Sequence, residues 1–138
     1  MPRLPYIPEY ITVHLGAPDS NAENVTVPFL DYISNVASSE IYPTWPENAL
    51  RANIYAQISY ALNRIYTEYY RSRGYDFDIT NSTTIDQSFV NGRDIFENIS
   101  RLTAEIFDLT CFFQLGTVFY LKQLFCGNCT KTYLTRKL

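Results

Sequence analysis

The stretch Asp31–Leu62, DYISNVASSEIYPTWPENALRANIYAQISYAL, decides the fold. Its apolar spacing is helical on both sides of a proline-rich break. Pro28 opens the first helix, because a missing N–H costs nothing in a first turn. Phe29, Ile33, Val36 and Ala37 then fall at i, i+4, i+7 and i+8, one helical face. The pattern stops near Ser38-Ser39-Glu40, and Pro43 and Pro46 forbid its continuation. A second helix starts at about Glu47, where a carboxylate suits the dipole. Leu50, Ile54, Ile58, Ala61, Leu62 and Ile65 form its buried stripe. That helix is predicted to run to about Arg71, with Gly74 ending it. Tyr55, Tyr66 and Tyr69 lie on one flank of the stripe, as packing residues at the helix margin or as a sugar platform.

Upstream, Tyr10–Gly16 (YITVHLG) alternates apolar Ile11, Val13 and Leu15 with Thr12 and His14. Period two is the mark of a half-buried strand, and it places His14 on the solvated face. Ala17–Asn24 is a turn-rich loop, and Val25–Val27 adds a short strand. Downstream, Tyr75–Thr80 (YDFDIT) reads as another strand. Gly92-Arg93-Asp94 leads into a third helix carrying Ile95, Ile99, Leu102 and Ile106. The fold class is therefore α+β, with two to three helices packed against short strands.

The chain has 138 residues, enough for one core. Its net charge of −3 offers no basic field for phosphates, which argues against a nucleic acid partner. Tyr supplies 12 residues of a 16% aromatic share, and its ring and polar tip suit half-buried surfaces and wet grooves. Residues 1–10 carry three prolines and no apolar run, so they do not read as a secretory signal. Leu109–Phe125 is apolar but interrupted by Gln114, Lys122 and Gln123, too broken to read as a membrane span. Cys111, Cys126 and Cys129 are the only cysteines. An odd number precludes a fully paired disulfide framework. Three thiols also fall short of the four ligands of a structural zinc site, and the single histidine, His14, is remote. No zinc or other cofactor is expected. Three segments follow: 1–24 leading in, 25–108 as the domain, and 109–138 as a divergent apolar and basic tail, expected to be disordered.

The central stretch resembles the stage II sporulation protein D (SpoIID/LytB) family. The residues that carry the resemblance are Tyr32, Val36, Ala37, Glu40, Pro43, Trp45, Pro46, Ala49, Leu50, Ala52, Tyr60, Ala61 and Leu62. Downstream, Asp86-Gln87-Ser88-Phe89-Val90-Asn91-Gly92 is similar to the family's Gln-aromatic-Gly motif. The likeness spans roughly residues 25–107. Two departures stand out. Ile58 occupies the position of a family Arg ahead of Ser59-Tyr60, with Arg64 as a substitute from nearly two turns later. The tail after Asp108 does not follow the family's second half, which suggests a truncated or frameshifted product and an incomplete SpoIID-like domain.

The resemblance implies lytic transglycosylase cleavage of peptidoglycan glycan strands, leaving a 1,6-anhydro sugar, in the bacterial cell wall or spore envelope. An ordinary glycosidase needs two carboxyl groups. Here the sugar's own C6 hydroxyl attacks, so one carboxyl acts first as acid and then as base. The resemblance makes Glu40 that residue. Ile41, Tyr42 and Trp45 are expected to wall it with apolar surface, and the helix C-terminus disfavours negative charge there. Tyr42, Trp45 and Gln87 are the substrate-binding candidates. Trp45 either stacks on a sugar or wedges between helices; Gln87 either contacts substrate or holds a loop. The rival function is a non-catalytic module that binds peptidoglycan. A third is a fragment without function.

Overall fold

The computed structural model describes residues 7–112. Ile11 and Val13, the inward positions of the first strand, anchor a three-stranded sheet of order β2-β1-β3. Strand β1 (Tyr10–His14) pairs antiparallel with β2 (Asn24–Pro28) and parallel with β3 (Ile79–Thr80). Helix α1 (Phe29–Glu40) follows β2 directly, α2 (Glu47–Tyr66) follows the Pro43–Pro46 break, and α3 (Glu97–Phe112) closes the described chain. The three helices pack pairwise, α1 lies on β1 and β2, and α2 lies on β3. This is the α+β arrangement read from the spacing.

Helix α1 is more enclosed than an amphipathic reading allows. Tyr32 through Ser38 are all buried, because α2, α3, the sheet and the 81–96 loop surround the helix. Ile33, Val36 and Ala37 meet Leu50, Ile54 and Ile58 of α2 and Ile99, Leu102 and Ile106 of α3 in one apolar cluster. A helix buried all round must find partners for its polar side chains. Asn35 finds two: its Nδ2 donates to Val90 O at 2.8 Å and its Oδ1 accepts from Val90 N at 3.0 Å. Ser38 Oγ accepts from Phe96 N at 3.3 Å. All three bonds tie the 81–96 loop to the helix that ends in Glu40.

Several boundaries differ from the sequence reading. His14 is not solvated: it is 5% exposed and stacks on Phe77, with ring centroids 4.4 Å apart. Its Nδ1 lies 2.6 Å from Asn24 Oδ1 and its Nε2 3.0 Å from Ala17 O. The 17–24 loop and Phe77 thus cover the sheet face that alternation left open. Helix α2 stops at Tyr66 rather than Arg71, because Glu68 takes a positive φ of 49°. A separate 3-10 turn at Arg71–Arg73 follows, and Gly74 ends it with φ 89°. The predicted strand Tyr75–Thr80 contracts to Ile79–Thr80. Before it, Asp78 pairs with Thr12 partly through its side chain: Thr12 N donates to Asp78 Oδ2 at 2.9 Å, while Asp78 N donates to Thr12 O at 2.9 Å. A carboxylate replaces a strand carbonyl there, so the ladder starts one residue later.

No helix among the described residues is long and apolar enough to cross a membrane. The tail reading for 109–138 falls almost wholly outside the described residues, as do Cys126, Cys129 and the side chain of Cys111.

Candidate functional site

Glu40 is the last residue of α1, exposed at the helix C-terminus. The chain leaves the helix at Ile41, extended at φ −126° and ψ 152°, and Pro43 and Pro46 carry it away into α2. Two N–H donors hold the carboxylate. Gln57 Nε2 of α2 donates to Oε2 at 3.0 Å, and the Ser88 backbone N–H donates to Oε1 at 2.9 Å. The apolar wall expected from Ile41, Tyr42 and Trp45 is not what meets this carboxyl. Ile41 turns into the core, while Tyr42 is 68% and Trp45 40% exposed. Tyr42 and Trp45 begin and end a single turn, closed by Trp45 N donating to Tyr42 O at 3.1 Å, and the prolines within and after it keep both rings off the helices.

Ser88 N reaches Glu40 because its loop is pinned on both sides. On one side stands Asp86, whose side chain is fully buried. Arg64 Nε donates to its Oδ1 at 2.8 Å; Tyr70 OH, Thr80 N and Thr80 Oγ1 donate to its Oδ2 at 2.6, 3.0 and 2.7 Å. Tyr60 OH is 3.1 Å from Oδ1 and 2.9 Å from Ile85 O, and its one proton serves either. Burial pushes the Asp86 carboxyl up, but the donors from Tyr70, Thr80 and Arg64 outweigh it and hold it below its ordinary value. Arg64 is stacked 3.7 Å over the Tyr69 ring as well. The cation that was to stand in for the missing one at position 58 is thus committed to Asp86, and Ile58 itself is buried in the core.

Next in the loop comes Gln87, 5% exposed. Its Oε1 accepts from Tyr32 OH at 3.0 Å and its Nε2 donates to Gln57 O at 3.0 Å. Burial pushes the Tyr32 phenol well above its usual value, with the Asp86 and Glu40 charges acting the same way, so it remains a donor. Of the two roles open to Gln87, the loop-holding bonds are the ones present. The Asn35–Val90 pair completes the pinning on the other side.

Glu40 stands between two clefts. One, of about 340 Å³, is lined by Ser39, Tyr42, Pro43, Arg93 and Phe96 among others. The second, of about 260 Å³, is lined by Asn53, Gln57, Tyr60, Asp86 and Gln87 among others. Glu40 alone lines both. Trp45 lines neither; it leans on Tyr42 with centroids 5.9 Å apart and planes at 57°. Glu40, Tyr42 and Gln87 are therefore brought together, and Trp45 stands behind Tyr42.

Gln57, Asp86 and Arg93 are site residues that the spacing did not single out. Gln57 had a signal: it lies with Ile54, Ile58 and Ala61 at i+3, i+4 and i+7, a polar residue on an inward stripe. Arg93 had none. Among the described residues no cluster of His, Cys, Asp and Glu could hold a metal ion.

No curated protein and no solved structure matches the chain. The family model of the stage II sporulation protein (SpoIID) matches residues 19–105. That span takes in β2, all of α1 and α2, β3, the pinned loop and most of α3, which includes every residue around Glu40 described above. The chain belongs to the SpoIID family of stage II sporulation proteins, and this membership supports a role in sporulation or the cell wall.

Proposed function

We propose that the protein cleaves peptidoglycan glycan strands as a lytic transglycosylase, acting in the bacterial cell wall or spore envelope, with Glu40 as its acid and base. The observation that carries this reading is the place of Glu40 on the ridge between two clefts. A strand lying across both would put a glycosidic oxygen at that carboxyl. Glu40 would give its proton to the leaving oxygen as the C1–O bond breaks. The C6 hydroxyl of the same sugar would bond to C1, and its proton would return to Glu40. No water is consumed.

A hydrolase would need a second carboxylate to attack carbon or activate water. Asp86 is the other carboxylate lining these clefts, but its side chain is fully buried and ion-paired with Arg64, whereas Glu40 is exposed. That leaves a single carboxyl to do both proton transfers, which favours the water-free route. Glu40→Gln should abolish release of 1,6-anhydro-muropeptides from purified sacculi, read by mass spectrometry. Undiminished release by the variant would remove Glu40 from the chemistry.

The rival reading, a module that binds peptidoglycan without cutting it, rests on Ile58, which leaves no cation where the resembling family carries one. Retention of the chain on sacculi with no anhydro product released would support it.

A further inference from the structure

The larger cleft, which Glu40 also lines, contains a guanidinium that is ion-paired with no acidic side chain among the described residues. Arg93 is half-buried in that cleft. Its Nε donates to Asp94 O at 3.2 Å, its Nη1 donates to Ser39 Oγ at 2.9 Å, and its guanidinium carbon lies 5.7 Å from the Phe96 ring centre. These contacts hold the planar fork in place, and none is with a carboxylate. Among the described residues, Arg51, Arg64, Arg71 and Arg101 are each ion-paired with an Asp or Glu. Arg73 is exposed and bound to Tyr69 through its carbonyl and its ring. Arg93 differs from all of these: it is oriented by neutral partners, it lines a cleft, and the hydrogens of Nη2 have no acceptor among the described residues. A guanidinium so held is ready for fork-to-fork binding of a carboxylate.

We infer that Arg93 binds a carboxylate carried by the glycan, in a subsite on the Tyr42–Phe96 side of Glu40. The inference rests on the reading that a glycan strand occupies the two clefts. Tyr42, Pro43 and Phe96 supply apolar surface for a sugar ring around the charge. The cleft on the other side of Glu40 has no equivalent, because its acidic residue Asp86 is already neutralised by Arg64. The two sides of the scissile position are therefore unlike in charge. A strand bearing an acidic substituent on every second sugar would settle in one register and one direction. The carboxylate has two sources in such a strand: a free lactyl group on the sugar, or the acids of a peptide attached to that lactyl.

The test is binding, by calorimetry with the full chain. The probes are GlcNAc–MurNAc with a free lactyl carboxyl, its methyl ester, the same disaccharide carrying a stem peptide, and chitobiose. None contains the MurNAc–GlcNAc bond to be cut. An acid-bearing disaccharide should bind about tenfold more tightly than chitobiose, as one charge-assisted bidentate contact provides. Preference for the free lactyl form, lost on esterification, assigns the sugar carboxylate; preference confined to the peptide form assigns the peptide. Arg93→Gln should erase the tenfold preference for acid-bearing probes over chitobiose, and a cooperative thermal melt shows that the variant is folded. Equal affinity of the wild type for all four probes overturns the inference, as does equal weakening of chitobiose and acidic probes by Arg93→Gln. A wild type without acid preference that still releases anhydro products overturns this subsite alone and leaves the role of Glu40 standing.

Discussion

Gln57 Nε2 donates a hydrogen bond of 3.0 Å to Glu40 Oε2, joining side chains that stand 17 residues apart on two different helices. The other end of that amide, Gln57 Oε1, is buried and has no hydrogen-bond partner among the described residues. The amide orientation is therefore decided by Glu40 alone. An amide facing a carboxylate presents N–H, and one facing a carboxylic acid can present its oxygen. Gln57 suits a residue that must hold its place both with and without a proton.

Gln57→Met keeps the volume and removes the donor. Loss of a charge-assisted bond costs about 1.5–3 kcal/mol, partly offset because the unpaired buried oxygen goes too. The net loss of stability should be about 1 kcal/mol or less by urea denaturation, while the rate of glycan cleavage falls by about tenfold as Glu40 loses its orientation. A variant that is much less stable yet cleaves at full rate would separate Gln57 from the site.

Asp86 predicts a pH dependence. Its carboxyl lies below its ordinary value in the folded protein, so the unfolded chain binds a proton more readily than the native one. The stability it contributes is present above the unfolded value of about 3.9 and is lost as pH falls through the lower folded value. Asp86→Asn should cost about 3 kcal/mol at neutral pH, since it strands the Arg64 guanidinium against a buried neutral group. It should also flatten the slope of stability against pH on the acid side. Denaturant titrations between pH 3 and pH 7 read both effects, and parallel wild-type and variant curves would deny Asp86 this role.

Asn35 controls the loop from the other side. Asn35→Ala removes two bonds to Val90 and should cost about 2 kcal/mol. Hydrogen exchange gives the sharper reading. Protection of the Val90 and Ser88 amides should fall together, because Ser88 N–H reaches Glu40 only while the loop is pinned. Unchanged Ser88 exchange would mean that Asp86 and Gln87 suffice.

Position 58 yields a prediction against intuition. The resembling family carries Arg where this chain has Ile58, and restoring it looks like a gain of function. Ile58 is 3% exposed within the core cluster. An unpaired guanidinium there costs several kcal/mol, so Ile58→Arg should destabilise the fold and leave cleavage no faster. Higher activity in a variant of unchanged melting temperature would show that the side chain reaches the clefts.

The helices were legible because apolar spacing records which face is buried, and Pro28, Pro43 and Pro46 punctuate it. The end of α2 was not legible, since nothing marks Glu68 for positive φ. His14 was misplaced because alternation reports one covered face, while Phe77 and the 17–24 loop cover the other through contacts distant in sequence. At the site, Glu40 was found through resemblance and not through periodicity. The roles of Gln57 and Asp86 depend on long-range side-chain bonds that no local pattern encodes. Nothing local marks Arg93, whose place depends on neutral partners, one of them 54 residues away.

The most direct test of Glu40 as sole acid and base is digestion of purified sacculi in water enriched in heavy oxygen, with the products resolved by mass spectrometry. Wild-type protein should release chains ending in 1,6-anhydro sugars that carry no solvent oxygen, and Glu40→Gln should release none. Reducing ends labelled from water, or anhydro ends that persist in Glu40→Gln, would contradict it.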